Sequence, residues 1–475
     1  MNAQAAPNLY SELHRPQFHF TPQRDWMNDP NGLVYYKGEF HLFFQYSPGF
    51  INHAPNSWGH AVSTDLLHWQ QIENGLEPDE YGWIWSGSAV VDRHNTAGFQ
   101  QGDEEPIVAI YTTGGFGEPG TPCVQSIAYS TDRGRTFTKY VGNPVLGHIR
   151  AANRDPKVIW HAPTNRWVMA LFLDGNDYAL FASQDLKTWD HLCDLPVEGT
   201  GECPDLFELP VDGDPYNARW VFWGAAGVYR IGTFDGKTFT PETPALRAEY
   251  GANGYAAQTW SNVPAEDGRQ IQISWMAGGK YPSMPFNQQL SFPVELSLRT
   301  TREGIRLLRR PVREIERLHT HKHAWKDDVL RSGMDRRALL VRYGPNWREH
   351  MPDAQAHLIP DTTWDLFDIR AEFEPGDATA FGAIIHGQHL QYDVAHKQFT
   401  YLGRTIPAEP EDDGRLRFQI LVDRTSLELF VGEGRVSASF CFLPGSCDHP
   451  LEFYAKEGSV RIVSLNIHEL ESIHG

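Results

Sequence analysis

Four segments of this 475-residue chain repeat one pattern: "HAVSTDLLHWQQI" from His60, "SIAYSTDRGRTFTKY" from Ser126, "ALFASQDLKTWDHL" from Ala179 and "YRIGTFDGKTFTPE" from Tyr229. Each has a small-residue strand, a turn led by an aspartate, and an aromatic that opens the next strand. The turn aspartates Asp65, Asp132, Asp185 and Asp235 recur at about 50 to 70 residues, which suits one four-stranded propeller blade per repeat. A blade cannot bury both faces alone, so the repeats must stack around an axis. Four repeats plus the flanking strands predict about five blades.

No long amphipathic helix is legible elsewhere. Short apolar-alternating runs such as "RWVMALFL", "ARWVFWGAA" and "RQIQISWMA" recur between Gly, Pro, Asn and Asp, so the chain reads as all-β. "LVYYKGEFHLFFQY" is a β-hairpin around Lys37-Gly38. The repeat fades near Pro311. "RPVREIERLHTHKHAWKDD" is charged, has a helix-like Val312, Ile315, Leu318 spacing, and reads as a linker. Past about Asp335 the strands resume without the blade motif, as in "WDLFDIRAEFEP" and "LRFQILVDRTSLELFVGEG", which fits a β-sandwich. The expected organisation is a tail over 1–13, a five-bladed β-propeller over 14–310, a linker over 311–335 and a C-terminal β-sandwich over 336–475.

Composition removes several function classes. Net charge is −19, which repels phosphate backbones, so nucleic acid is not an expected partner. No apolar run is long enough to span a bilayer as a helix, and no membrane partner is expected. The start, "MNAQAAPNLYSELHRP", has neither a basic opening nor an apolar stretch. A cytoplasmic address is therefore expected for the chain as given, unless a signal was removed. Cys123, Cys193, Cys203, Cys441 and Cys447 show no metal-type spacing and read mainly as buried thiols. His319, His321 and His323 alternate in the linker without an acidic or Cys partner, so no metal is expected there. The 15 Trp, 18 Tyr and 26 Phe fit a large β core, and also a sugar site, since aromatic faces stack on the C–H faces of sugars.

Three acids stand in stiff local contexts: Asp29 in "WMNDPNG", Asp155 in "NRDPKVIW" behind Arg154, and Glu202 in "GTGECPDLFEL". Each has a proline within two residues, which fixes the local backbone, restricts the residue before it to extended angles and so pre-orients the side chain. Singly, each motif reads as an ordinary turn. Together, each leading a strand of a different blade, they would meet in the propeller's central funnel.

"WMNDPNG", "RDP" and "ECPDLFEL", in this order and at these separations, resemble glycoside hydrolase family 32, the β-fructosidases. "FFQYSP", "WGHAVSTDLLHW", "WSGSAVVD", "YAAQTW", "ISWM" and "MPFNQQLSFPVELSLR" match as well, and the resemblance covers about residues 14 to 470. It implies a propeller plus sandwich and retaining hydrolysis of terminal β-fructofuranosides, from fructans (levan, inulin) and/or sucrose, with no cofactor. Asp29 would be the nucleophile, Glu202 the acid/base and Asp155 a stabiliser of the transition state. Arg154 would hold the sugar with Asp155. Asn28, Gln45 and Ser86 would hydrogen-bond the fructose, and Trp58, Trp85 and Trp275 would wall the pocket. Asn153 and Gly201 depart from the residues that commonly precede "RDP" and "EC", which bears on the shape of the pocket.

Retention requires the two carboxyl groups to lie about 5–5.5 Å apart, with Glu202 protonated among apolar and anionic neighbours and Asp29 ionised. Other readings remain at this stage. One is a non-catalytic propeller scaffold, which would have lost one of the acids. Others are a sucrose-specific invertase, a sucrose-6-phosphate hydrolase or a fructosyltransferase. Oligomeric state is not legible.

Overall fold

In the first hairpin, strand Asp25–Tyr36 pairs antiparallel with Glu39–Ser47 and closes at Tyr36 opposite Glu39. The two turn residues Lys37 and Gly38 take φ of +44° and +94°. Both being positive is the geometry of the two-residue turn whose twist suits a hairpin. The computed structural model describes residues 9–50, 55–114, 121–333, 362–445 and 449–474. It falls into two units, one of residues 1–249, 253–314 and 474, the other of 250–252, 315–473 and 475.

The first unit is built from four-stranded antiparallel sets. Asp25–Tyr36, Glu39–Ser47, Ser57–Ser63 and Gln70–Leu76 form the first. Trp83–Val91, Ile107–Gly114, Val124–Ser130 and Thr138–Lys139 form the second. Arg154–His161, Arg166–Asp174, Asp177–Ser183 and Asp190–Pro196 form the third. Asp205–Val211, Asp214–Trp223, Val228–Phe234 and Phe239–Pro241 follow. Gly254–Thr259, Gln270–Met276, Val294–Thr301 and Gly304–Pro311 complete the series, joined to the preceding set by one parallel pair, Val211 with Leu298. The first strands of successive sets lie against one another in cyclic order, so that Gly254–Thr259 returns to Asp25–Tyr36. This is a propeller, with the first strand of each set innermost.

The repeated aspartates explain the regularity. Asp65 Oδ1 accepts from the amides of Leu67 and His68 at 3.1 and 2.9 Å. Asp132 Oδ1 accepts from Arg135 and Thr136 at 3.1 and 2.9 Å, and Asp185 Oδ1 from Lys187 and Thr188 at 2.9 and 2.8 Å. Asp235 Oδ1 accepts from Lys237 and Thr238 at 2.8 and 2.7 Å. Each carboxylate closes the turn between the third and fourth strands of its set, doing for the backbone what an Asx-turn does. The last set turns instead at Thr301–Gly304, where Thr301 Oγ1 donates to the Gly304 carbonyl at 2.8 Å. That set therefore carries no Asp signature.

Apolar side chains pack between neighbouring sets. Phe43, Trp58, Leu76, Ile84, Ala109 and Tyr111 join the first to the second. Val168, Phe172, Leu180, Leu206 and Phe222 join the third to the fourth.

The second unit is a sandwich. One sheet runs His319–Arg331, Ser459–Leu470, Phe367–Pro375, Leu416–Asp423, Ser426–Val431, Val436–Cys441. The other runs Arg404–Pro407, Gln398–Tyr401, Gln388–Asp393, Ala380–Ile385, Leu451–Lys456. Phe367, Phe373 and Phe418 from the first meet Phe381, Phe399 and Phe453 from the second in one core.

Of the expected linker over 311–335, the described residues 311–333 are largely in regular structure. Arg313–Leu318 is a short 3-10 helix that buries Ile315 and Leu318. His319–Arg331 is a thirteen-residue edge strand. His319 Nε2 lies 2.9 Å from Asp368 Oδ2 and His323 Nε2 lies 2.9 Å from Glu469 Oε1, so these two histidines have acidic partners that local spacing did not reveal. The expected beginning of the sandwich at 336 lies outside the described residues. Cys123 is buried as expected, whereas Cys193 and Cys203 are half-buried free thiols.

Candidate active site

The inner strands are irregular at one level. In the first, Met27 faces Tyr46 and Pro30 faces Phe44, so one extra residue is accommodated at Asn28–Asp29. In the second, Ile84 faces Thr113 and Gly87 faces Tyr111, leaving Trp85–Ser86 displaced. In the third, Arg154 faces Phe172 and Lys157 faces Ala170, with Asp155–Pro156 displaced. In the last, Tyr255 faces Trp275 and Gln258 faces Ile273, with Ala256–Ala257 displaced. Bulges bend a strand and re-aim its side chains. Three of the four here carry Asp29, Ser86 and Asp155, and the fourth follows Tyr255, whose hydroxyl reaches Glu202.

This corrects two local expectations. Asp29 stands in a bulged strand, not in a turn. The residues before Pro156 and Pro204 are not extended either: Asp155 has φ of +63°, Glu202 +49° and Cys203 +37°. Left-handed backbone at non-glycine residues costs on the order of 1–3 kcal/mol each and tends to persist where function holds it.

The three acids converge. Asp29 Oδ2 accepts from Ser86 Oγ at 2.6 Å and its Oδ1 from Asn28 Nδ2 at 3.2 Å. Asn28 is oriented in turn by Trp26, whose indole N–H donates to Asn28 Oδ1 at 3.1 Å. Cys203 links two acids, its Sγ lying 3.7 Å from Asp29 Oδ2 and 3.5 Å from Asp155 Oδ2, while its amide donates to Asp155 Oδ2 at 3.0 Å. Arg154 pairs with Glu202 Oε1, and its Nε is 3.7 Å from Asp155 Oδ2. Tyr255 donates its hydroxyl to Glu202 Oε2 at 2.5 Å.

Electrostatics follows from this crowding. Burial pushes the Asp29 carboxyl up and Glu202 adds to the rise, against hydrogen bonds from Ser86, Asn28 and Cys203. Burial pushes Asp155 up to about 7, with Arg154 pulling it down and the Glu202 and Asp29 charges adding to the rise. Burial and the three carboxylates raise the Cys203 thiol well above its usual range, so it remains a donor. Burial and the neighbouring Glu202 carboxylate likewise raise the Tyr255 phenol. Glu202 was expected among apolar and anionic neighbours; its immediate partners are a guanidinium and a phenol.

The expected sugar contacts divide. Asn28 and Ser86 reach the acids directly. Trp275 is half-buried, its ring 6.4 Å from both Trp26 and Tyr255, and its indole N–H donates to Gln288 Oε1 at 3.1 Å. Trp85 is half-buried and bonds the Gly114 carbonyl at 3.0 Å. Trp58 does not wall the funnel. It is fully buried against Phe43 and Tyr111, and its indole N–H holds the Trp85 carbonyl at 3.0 Å. Gln45 is 1% exposed and stands behind Ser86, its Nε2 3.5 Å from Ser86 Oγ. Asn153 is also buried, where its Oδ1 accepts from the Ile149 amide at 3.1 Å. Cys203, Tyr255 and Trp26 were not singled out from sequence. Tyr255 and Trp26 lay inside noted segments, but nothing local separates them from the chain's many other aromatics.

Below the acids the inner strands are laced together. The Gly87 amide donates to Asn31 Oδ1 at 3.2 Å and Gln258 Nε2 donates to the Gly87 carbonyl at 3.0 Å. A Cβ on Gly87 would lie 2.1 Å from the Ile110 carbonyl oxygen, so only glycine fits. Ser88 Oγ donates to the Pro156 carbonyl at 2.8 Å. Lys157, 2% exposed, reaches Asp205 at 3.3 Å and the Thr259 carbonyl at 2.7 Å. Removing one partner of such a buried pair costs about 3–5 kcal/mol. The funnel therefore has a floor.

The profile of the Glycosyl hydrolases family 32 N-terminal domain matches residues 19–311, and that of the family's C-terminal domain matches 348–469. The chain belongs to glycosyl hydrolase family 32. A levanase of Bacillus subtilis (strain 168) is 38% identical over 517 aligned residues, spanning 99% of this chain and 72% of that protein. The exo-inulinase of Aspergillus awamori superposes with a TM-score of 0.84 at 27% identity, over 98% of this chain and 99% of that one. A fructofuranosidase from Schwanniomyces occidentalis, solved in complex with fructosylnystose, superposes at 0.83 with 27% identity, over 99% of this chain and 100% of that one. In this family 32 chain the bulged strand ends, the three acids and the laced floor make up the candidate active site.

Proposed function

We propose that the chain is an exo-acting, retaining β-fructofuranosidase that removes terminal β-D-fructofuranosyl units from fructans and/or sucrose. Family membership and the levanase and exo-inulinase similarities support a glycoside hydrolase acting on β-fructosides. Those similarities favour a fructan as the principal substrate. The observation that carries the mechanism is the convergence of Asp29, Asp155 and Glu202 through Cys203 and Arg154.

Asp29 attacks the anomeric carbon while the bond to the leaving oxygen breaks and Glu202 gives that oxygen its proton. Glu202, then a carboxylate, takes a proton from water as the water displaces Asp29 and releases fructose. Ser86 and Asn28 hold the nucleophile on both oxygens. Asp155 and Arg154 hold sugar hydroxyls, and these contacts raise the rate only where they tighten in the transition state. The closed floor supports removal of single terminal units, since an internal chain segment cannot pass through.

Separate substitutions test the two roles. Glu202→Gln is expected to lose most activity on sucrose or levan but to keep more on a β-fructoside with a good leaving group, which needs less protonation. Asp29→Asn is expected to lose turnover on both by orders of magnitude while remaining folded. Equal losses on both substrates for Glu202→Gln would assign it a structural role.

A further inference from the structure

A cavity of about 450 Å³ opens at the other end of the inner strands and touches none of the three acids. Its floor is the underside of the laced layer. Lys157 stands two positions beyond Asp155, and Thr259 four beyond Tyr255, and both line the cavity. Its volume lies within the roughly 300–1,000 Å³ of small-molecule sites.

The lining has a definite chemistry. Trp160 and Trp220 are half-buried and line the cavity. Trp167 and Trp260 stiffen the wall, their indole N–H groups fixed on Thr96 Oγ1 at 2.8 Å and the His41 carbonyl at 3.0 Å. The cationic groups deepest in the lining are already answered: Lys157 by Asp205, and Arg269 by Asp267 at 2.6 Å and Glu314 at 2.9 Å. At the exposed rim Arg93 and Glu208 are opposite in sign. An anion finds no unanswered cation in the interior, and a wholly apolar ligand would face Thr259, Ser261 and Asn262. Indole faces beside neutralised polar groups suit an uncharged, polyhydroxylated ligand, since sugars present C–H faces to aromatics and hydroxyls to the rim.

We propose that this cavity is a second carbohydrate-binding pocket that takes a fructosyl unit, distinct from the site of hydrolysis. It rests on the β-fructofuranosidase reading, which supplies such sugars as substrate and product. The occupant is either released fructose or a second chain end of the fructan being degraded, and the two share the same recognition chemistry.

The test uses the full chain carrying Asp29→Asn, so that sugar is bound and not hydrolysed. Calorimetric titration with fructosylnystose is expected to show two binding events. Ala265→Trp adds a bulky group at the exposed rim of the cavity, and Trp160→Ala removes an indole wall. Either is expected to abolish one event and spare the other. In the otherwise native chain, Ala265→Trp is expected to leave sucrose turnover within about twofold of the parent. A second event with fructose alone identifies released product as the occupant; a second event only with fructosylnystose identifies a chain end. A single event indifferent to both substitutions, with hydrolysis by the native chain intact, overturns the second pocket and leaves the enzymatic reading standing. No binding of either sugar and no hydrolysis overturns both.

Discussion

Ser86 and Asp29, 57 positions apart in sequence, meet at 2.6 Å because each stands on a bulge of an adjacent inner strand. The bond fixes the carboxylate that is proposed to attack, and it is one of the interactions that oppose the effect of burial on Asp29. Ser86→Ala should therefore lower kcat by about 10- to 100-fold, the loss of a hydrogen bond to a charged group being worth about 1.5–3 kcal/mol. With that opposition gone, the Asp29 pKa rises and the acidic limb of the pH–rate profile should move to higher pH. Unchanged kcat and an unmoved acidic limb would place Ser86 outside the mechanism.

Asp155 is kept at a cost to the fold. Its carboxyl is pushed up to about 7, first by burial, from an ordinary value of 3.8. The folded state thus holds a proton more tightly than the unfolded one between those values. The contribution to stability is fully present below about 4 and is lost as pH rises through about 7. Asp155→Asn removes the charge that must be buried above that pH. The variant should be nearly inactive yet unfold about 2–5 °C above the parent at pH 8, with the difference shrinking at pH 5. A lower Tm at pH 8 would show that the charge is compensated more fully than burial suggests.

A second titrating element lies away from the site. His41 Nδ1 and His60 Nε2 are 3.0 Å apart in the first set, both rings fully buried. Burial holds His41 down to about 4 and His60 well below its usual range. Both are neutral when folded, and the unfolded chain takes up protons first, near pH 6.5. Stability is present above that value and lost as pH falls towards 4. The urea midpoint should drop between pH 6.5 and 4.5, and drop less steeply in His60→Gln. An identical pH slope in that variant would mean that other groups set the acid sensitivity.

What the sequence revealed was local, and what it hid was not. The Asp65, Asp132, Asp185 and Asp235 turns form within a few residues, so their repeat was readable. The last set turns at Thr301–Gly304 and left no such mark. The run Asn28–Gly32 reads as a turn because its residue types favour turns. It is a bulge only because Tyr46 and Phe44 pair across it, and that partner strand is invisible in the local run. Trp58 and Trp275 are the same residue in comparable motifs. Packing against Phe43 and Tyr111 places one in the core, whereas the other stands near Trp26 and Tyr255. His319–Arg331 was mistaken for a linker because an edge strand that buries only Leu330 has little apolar alternation to show.

Early NMR spectra of a levan digest bear most directly on the proposed chemistry. The proposed double displacement through Asp29 would retain configuration, and the layer tied together at Asn31, Gly87, Lys157 and Thr259, read as a closed floor, would admit only a chain end. Expected is free fructose from the first minutes, released as the β-anomer before mutarotation, with no ladder of oligosaccharides. Fructose released first as the α-anomer would contradict Asp29 as a covalent nucleophile, and oligosaccharides as the first products would contradict the closed funnel.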